Sequence, residues 1–229
     1  MDIKNISLVF PEIYDKALET LIRQHSYEKF YKKNAILTHP GDNLNYIYYI
    51  KRGKTKHYMS NDEGLEKTLY ILNSGWLFGE MAHALGYKTG VFSIAATDLT
   101  LYIIHSKTVD KLLNESLLFQ NAIIHCLSHK ISTLRYEIEN LTFNSVKDRI
   151  KRLFFMFVNT EHILDGEWYE LNFNYTHHEI GVLIGSARVT VSKTINILYN
   201  EGFIRIVNRK YQMHVKVYRD YFKKMQTNN

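Results

Sequence analysis

Between residues 27 and 105 the apolar positions come in short runs, some alternating and some contiguous. They fall at Ala35–Leu37, Tyr46–Ile50, Lys54–Met59, Lys67–Leu72, Trp76–Phe78, Val91–Ala95 and Thr100–His105. Turn-forming residues separate them: Pro40-Gly41-Asp42, Arg52-Gly53, Asn61-Asp62-Glu63-Gly64, Asn73-Ser74-Gly75, Gly86 and Gly90. Many short strands at even spacing predict a β-barrel or a double-sheet jelly roll. Ahead of this region, residues 11–26 predict a helix after Pro11 with Ile13, Leu18, Leu21 and Ile22 inward.

The period then changes to that of a long helix, Ser106–Leu141. In its later half Ile124, Leu127, Ile131, Leu134, Ile138 and Leu141 recur at alternating steps of three and four, an a/d seam. A helix packed only within a monomer needs a broader apolar face. The narrow seam therefore predicts a homodimer, with packing on the chain's own barrel as the alternative. Phe143-Asn144-Ser145 breaks the heptad and reads as a hinge. An amphipathic helix over 146–159 follows, then a hairpin over His162–Phe173 turning at Asp165-Gly166.

Thr176 to Leu198 reads as two short helices joined by a tight turn. Thr176 and Glu179 have capping-box spacing. Ile180, Leu183 and Ile184 form the inward stripe, and Gly181 lets another helix approach closely. Gly185 ends the first helix and Ser186 is the expected cap of the second. Ala187, Val191, Ile195 and Leu198 make the second helix's inward face, leaving Arg188, Val189, Ser192 and Lys193 outward. A helix-turn-helix places such outward residues in the DNA major groove. After Gly202, Phe203–Val207 and Tyr211–Val217 predict a hairpin around Asn208-Arg209-Lys210, a wing with two cations at its tip. A short basic helix over 218–225 closes the chain.

Charge sharpens this division. Residues 143–229 hold 13 Lys and Arg against 8 Asp and Glu, whereas residues 1–142 hold 16 against 15. The excess lies with the helix-turn-helix, as a polyanion partner requires. The single cysteine, Cys126, excludes an intrachain disulfide and a four-cysteine metal or iron–sulfur site within one chain. No apolar run approaches the roughly 20 residues that span a bilayer, and the N-terminus lacks a cleavable signal pattern. A cytoplasmic protein with no membrane partner is expected. An enzyme with a cupin-like barrel would need converging ligands; His39, His57, His83 and Glu80 are the raw material, and no H-x-H pair or nucleophile–base arrangement is legible. No metal, cofactor or catalytic residue is expected.

A β-roll with a Gly-Trp-Leu-Phe-Gly-Glu-Met-Ala segment (75–82), a long dimerisation helix and a C-terminal helix-turn-helix with RVTVSK (188–193) resembles the CRP/FNR family of bacterial transcription regulators. The resemblance covers nearly the whole chain. It implies an α+β fold: a cyclic-nucleotide-binding-like β-roll sensor domain (1–105), a dimerisation helix (106–142) and a winged helix-turn-helix DNA-binding domain (143–229). It also implies a homodimer on a palindromic site of double-stranded DNA, a small-molecule effector in the β-roll and contact with RNA polymerase.

Departures narrow the effector. Family members that bind cyclic AMP hold its phosphate with an Arg-Ser pair after the FGE segment. Gly90 and Val91 stand there in this chain, and no Arg lies between Arg52 and Arg135. A buried phosphate without a cation is costly, which argues against cyclic AMP although Glu80, the family's ribose-binding carboxylate, is present. The barrel and TVSK segment look closest to the halorespiration branch, whose members bind chlorinated aromatic acids or phenols. That likeness implies an aromatic acid as the candidate effector class, with Tyr70 and Phe78 as walls, Lys130 as a cation and Glu80 as a carboxylate that would repel it. Two alternatives remain: a DNA-binding dimer independent of effector, and a haem or redox sensor using His83, His105, His125 or His129.

The resemblance also assigns a recognition face. Many family members carry Glu where Val189 stands. A glutamate accepts from cytosine N4, but valine can only pack on a thymine methyl. An A·T pair is expected there, with half-sites TTAAT in a palindrome such as TTAAT-N4-ATTAA. Arg188 and Lys193 are expected to read G or bind phosphate, and Thr190 and Ser192 to lie on the same surface. Thr176 and His178 match positions that contact phosphate, and Arg209 and Lys210 of the wing are expected to do the same.

Overall fold

The computed structural model describes residues 8–172 and 174–227, with the backbone alone for Phe222 and 224–227. The chain divides into two compact units, Met1–Glu137 and Ile138–Asn229. The signal-free N-terminus expected from sequence falls largely outside the described residues.

The first unit opens with an extended segment, not a helix. Asn73 Nδ2 donates to Phe10 O, Trp76 Nε1 to Pro11 O and Ile13 N to Ser74 O. These bonds hold residues 10–13 along the barrel, so helix α1 (Lys16–Gln24) starts only where the Asp15 carboxylate accepts from Leu18 N at 2.9 Å. Leu18 and Ile22 are buried as expected, and Leu21 is half-buried.

Strands β1 (Tyr27–Tyr31), β2 (Ile36–Thr38), β3 (Tyr46–Arg52), β4 (Thr55–Ser60), β5 (Glu66–Leu72) and β6 (Leu77–Phe78) precede a short helix, α2 (Glu80–Leu85). Strands β7 (Phe92–Ala95) and β8 (Leu99–His105) follow. They form two four-stranded antiparallel sheets, in the orders β1-β8-β3-β6 and β2-β7-β4-β5. Their inner faces share one core, centred on the fully buried Ile50, Leu72, Trp76, Leu77, Leu99, Leu101 and Ile104. All seven expected strands are present. β1 was not expected: it is an edge strand with four of its five residues exposed, so it carries no apolar alternation.

The long helix expected over 106–141 is two helices, α3 (Ser106–Glu115) and α4 (Leu117–Phe143). Ser116 is extended between them, and its Oγ accepts from Phe119 N at 3.3 Å, capping the second helix. A serine before an apolar run is a helix start, and here it divides what periodicity joins.

In the second unit α5 (Val146–Met156) is capped by Ser145 and buries Ile150, Leu153, Phe154 and Phe155. It ends before Asn159 because the chain passes into β9 (Val158–Leu164). Asp165 and Gly166, both at positive φ, turn it into β10 (Trp168–Leu171); Phe173, at the end of the expected hairpin, lies outside the described residues. Then come α6 (His177–Ile184), α7 (Arg188–Asn200), β11 (Ile204–Val207), β12 (Lys210–His214) and α8 (Val215–Thr227). The last strand is shorter than expected: His214 Nδ1 accepts from Lys216 N and starts α8 early. The two hairpins join in one sheet, ordered β11-β12-β10-β9, through pairing of β10 with β12.

Candidate nucleic-acid interface and effector cavity

The first helix of the helix-turn-helix begins with the expected capping box. Glu179 N donates to Thr176 Oγ1 at 3.2 Å and Thr176 N donates to Glu179 Oε2 at 2.7 Å. Ile180, Leu183 and Ile184 are buried. Gly181 is needed for a different reason from the expected one. The atom that a Cβ there would strike is the carbonyl oxygen of Ser186, in the turn, not a neighbouring helix. Gly185 turns the chain at φ +69°. Arg149 of α5, absent from the sequence reading, donates to Ile184 O at 2.7 Å and so satisfies a carbonyl that the end of α6 leaves bare.

The start of α7 corrects two expectations. Ser186 is not its cap, because its own N–H is bonded back to Gly181 O at 2.9 Å. Ala187 occupies the N-cap, makes no side-chain bond there and is exposed instead of inward. The first N–H groups of α7 therefore have no capping side chain, and such a helix end favours anions. Val191, Ile195 and Leu198 are buried, joined by Thr194, whose Oγ1 donates to Thr190 O. Arg188, Thr190 and Lys193 are exposed, Ser192 is half-buried and Val189 is 64% exposed.

Thr176 and His178 are exposed at the N-terminal turn of α6. The wing turns on Asn208 and Arg209, at φ 50° and 64°, so Lys210 opens the returning strand instead of the tip. Thr176, Arg209 and Lys210 meet around a cleft of about 380 Å³, with Asn174, Tyr175, Asn208 and Tyr211. Lys210 is already paired with Glu170, leaving Arg209 as the more available cation of the two.

In the first unit the four expected effector residues, Tyr70, Phe78, Glu80 and Lys130, line one cavity of about 40 Å³. Glu80 opens α2 directly after Gly79, which has φ +94°. Lys130 reaches in from α4; its Nζ donates to Glu80 Oε1 at 2.6 Å and to Leu77 O at 2.8 Å. Burial pulls the Lys130 pKa down, but the Glu80 carboxylate outweighs it and holds the value above the ordinary lysine range. Lys130 also sits over the Tyr70 ring at 5.6 Å, and burial raises the Tyr70 phenol. The cation expected for an aromatic acid is thus already neutralised by a carboxylate.

His57, a metal-ligand candidate in the sequence, lines the same cavity. It is buried between Thr55 Oγ1, 2.9 Å from Nε2, and Ser93 Oγ, 2.9 Å from Nδ1. Thr38 Oγ1 donates to Ser93 Oγ at 2.8 Å, which extends the hydrogen-bonded chain. Burial, then the Lys130 charge, holds the His57 pKa well below its ordinary value. Among the described residues, no arginine lines the cavity.

The other histidines weighed as ligand candidates do not converge. His39 packs against Phe92, His83 lies 3.0 Å from Asp110, and His105 caps α3. His125 and His129 lie side by side on α4 against Trp76. Among the described residues no three His, Cys, Asp or Glu side chains are grouped to hold a metal. Among them, too, no helix is long and apolar enough to cross a membrane. Along the α4 seam Ile124, Ile131, Ile138 and Leu141 are exposed, and Leu127 and Leu134 half-buried.

A winged helix-turn-helix following a β-roll with an internal polar cavity defines a DNA-binding regulator. Comparison with known proteins agrees. A cyclic nucleotide-binding domain model matches residues 28–116 and a Crp-like helix-turn-helix model matches residues 149–217. The global nitrogen regulator of Nostoc sp. is 24% identical over 211 residues, covering 89% of this chain and 95% of its own. The c-di-GMP-responsive regulator CLP of Xanthomonas campestris superposes with a TM-score of 0.75 at 22% identity, over 86% of this chain and 97% of its own. OCPA-complexed CprK gives a TM-score of 0.70 at 18% identity, over 91% and 96%. The chain belongs to the CRP/FNR family of transcription regulators, which are DNA-binding proteins and not enzymes.

Proposed function

We propose that this family member works as a homodimer, joined along the α4 seam, that recognises an A·T-rich palindrome such as TTAAT-N4-ATTAA and is gated by a small molecule in the β-roll. The exposed Val189 in the first turn of α7 carries the sequence preference. It has no acceptor for cytosine N4 and presents methyl groups suited to thymine. Arg188 and Lys193 flank it, while Thr176, His178 and Arg209 supply phosphate contacts. The symmetry of the dimer would set two recognition helices about one helical turn, roughly 34 Å, apart. Action in the cytoplasm and contact with RNA polymerase follow from this role.

Competition binding with TTAAT-N4-ATTAA and TTGAT-N4-ATCAA probes tests the reading. The first probe should bind about 10-fold or more tightly, since the probes differ at one base pair in each half-site and each wrong pair typically costs about 1–3 kcal/mol. Val189→Glu should reverse the order. Preference of the unaltered chain for the second probe would overturn it.

The cavity's small size, about 40 Å³, favours a second reading, in which the dimer binds DNA without an effector. Operator affinity that no cavity ligand changes would support it, because a ligand shifts an equilibrium only by its differential affinity for the two states.

A further inference from the structure

The buried charges around the β-roll cavity are matched one to one, and one oxygen is left over. Glu80 is 3% exposed and Lys130 6% exposed. Glu80 Oε1 accepts a hydrogen bond from the Lys130 ammonium, while Glu80 Oε2 is buried without a hydrogen-bond partner. Thr38, Ser93 and His57 also line the cavity and hydrogen-bond to one another, with Ser93 Oγ 2.8 Å from Thr38 Oγ1 and 2.9 Å from His57 Nδ1. The cavity thus offers a carboxylate acceptor and no unmatched positive charge.

We infer that the effector of this chain is an uncharged molecule that donates a hydrogen bond, from a hydroxyl or an amide N–H, to Glu80 Oε2. This inference rests on the reading of the cavity as the effector site. An anion would lie beside the Glu80 carboxylate and compete with it for Lys130. A cation would lie beside the Lys130 ammonium. Either adds an unpaired charge to a buried site, whereas a neutral donor completes the one acceptor that lacks a partner. Tyr70 and Phe78 give such a molecule ring faces to pack on. Glu80 on α2 and Lys130 on α4 both line the cavity, so an occupant that shifts this pair acts on both helices.

The test compares shape-matched probes, benzamide and benzyl alcohol against benzoate, by thermal shift and calorimetry on the full-length chain. The neutral donors should raise the melting temperature and bind about 10- to 100-fold tighter than benzoate. A Glu80→Leu, Lys130→Met double variant removes the acceptor and both charges together. It should lose binding of the neutral probes by about 10-fold or more while keeping its fold by circular dichroism. Benzoate binding as tightly as benzamide overturns the inference, as does failure of both neutral probes to bind at millimolar concentration. Operator affinity is then measured with benzamide saturating. If benzamide binds through Glu80 and operator affinity does not change, the ligand class stands and the gating reading fails.

Discussion

Helix α4 has two faces, and they invert the usual order. The face that meets the barrel buries Lys130, Thr133 and Glu137, at 6, 4 and 6% exposure. The face turned outward carries Ile124, Ile131 and Ile138, at 61, 65 and 66% exposure. Apolar residues normally go in and charges out, because exposing one large side chain forgoes about 1.5–3 kcal/mol. The inversion tells the two faces apart by purpose. An exposed isoleucine ladder is an interface awaiting cover, here read as a second copy of the chain. A buried polar stripe is tolerated only where partners satisfy it: Glu80 for Lys130, and Lys67 for Glu137 at 2.6 Å.

The difference between the faces can be broken from either side. Ile131→Asp attacks the outer one. A two-fold dimer would lose two isoleucines and bury two carboxylates, about 3–6 kcal/mol from burial of the isoleucines alone. Sedimentation analysis should show monomers and operator binding should collapse; a persisting dimer would remove the seam from the account. Lys130→Met attacks the inner face by leaving Glu80 charged and alone, at a cost of about 3–5 kcal/mol in thermal unfolding. Adding Glu80→Leu should restore most of that loss. A double variant no better than the single one would mean the pair is not what matters there.

The smallest effect belongs to His57, which lines the same cavity as Lys130. Its pKa is depressed by burial, so the folded chain keeps the imidazole neutral while the unfolded chain takes up a proton near pH 6.5. Stability is full above that pH and declines as pH falls below it toward the depressed folded value. The slope is at most about 1.4 kcal/mol per pH unit. Relative to the unaltered chain, His57→Asn should flatten the melting-temperature profile below pH 6.5. Parallel profiles would show that His57 does not titrate on unfolding.

Much of this was legible from residue order, and the parts that were not share a cause. Strand positions, the Thr176 capping box, the Gly185 turn and the α4 seam are local patterns, set by residues within a few positions of one another. Ser186 and Ala187 were misassigned because Ser186 N bonds back to Gly181 O, which a capping rule applied at one position does not consider. β1 was missed because an exposed edge strand has no apolar signature. The break at Ser116 was masked by the heptad that resumes behind it. The cavity residues were picked out singly, yet the bond between Glu80 and Lys130 spans 50 positions, and its effect on charge emerged only when the two met. Arg149 braces α6 across 35 positions and left no trace in any local window.

The pairing of β10 with β12 has a consequence for how the molecule assembles. Trp168, Tyr169 and Glu170 lie opposite His214, Met213 and Gln212, so the chain from 172 to 209 is a closed loop with the recognition helices and most of the wing inside it. The entropy of closing a loop that long must be met before its sheet contacts form, which ties the helices to a late, non-local step. The recognition surface is therefore acquired in one cooperative event. Amide protons of α6, α7 and the wing should exchange as a single block, and a nascent chain has no DNA-reading surface until β12 has been synthesised and docked.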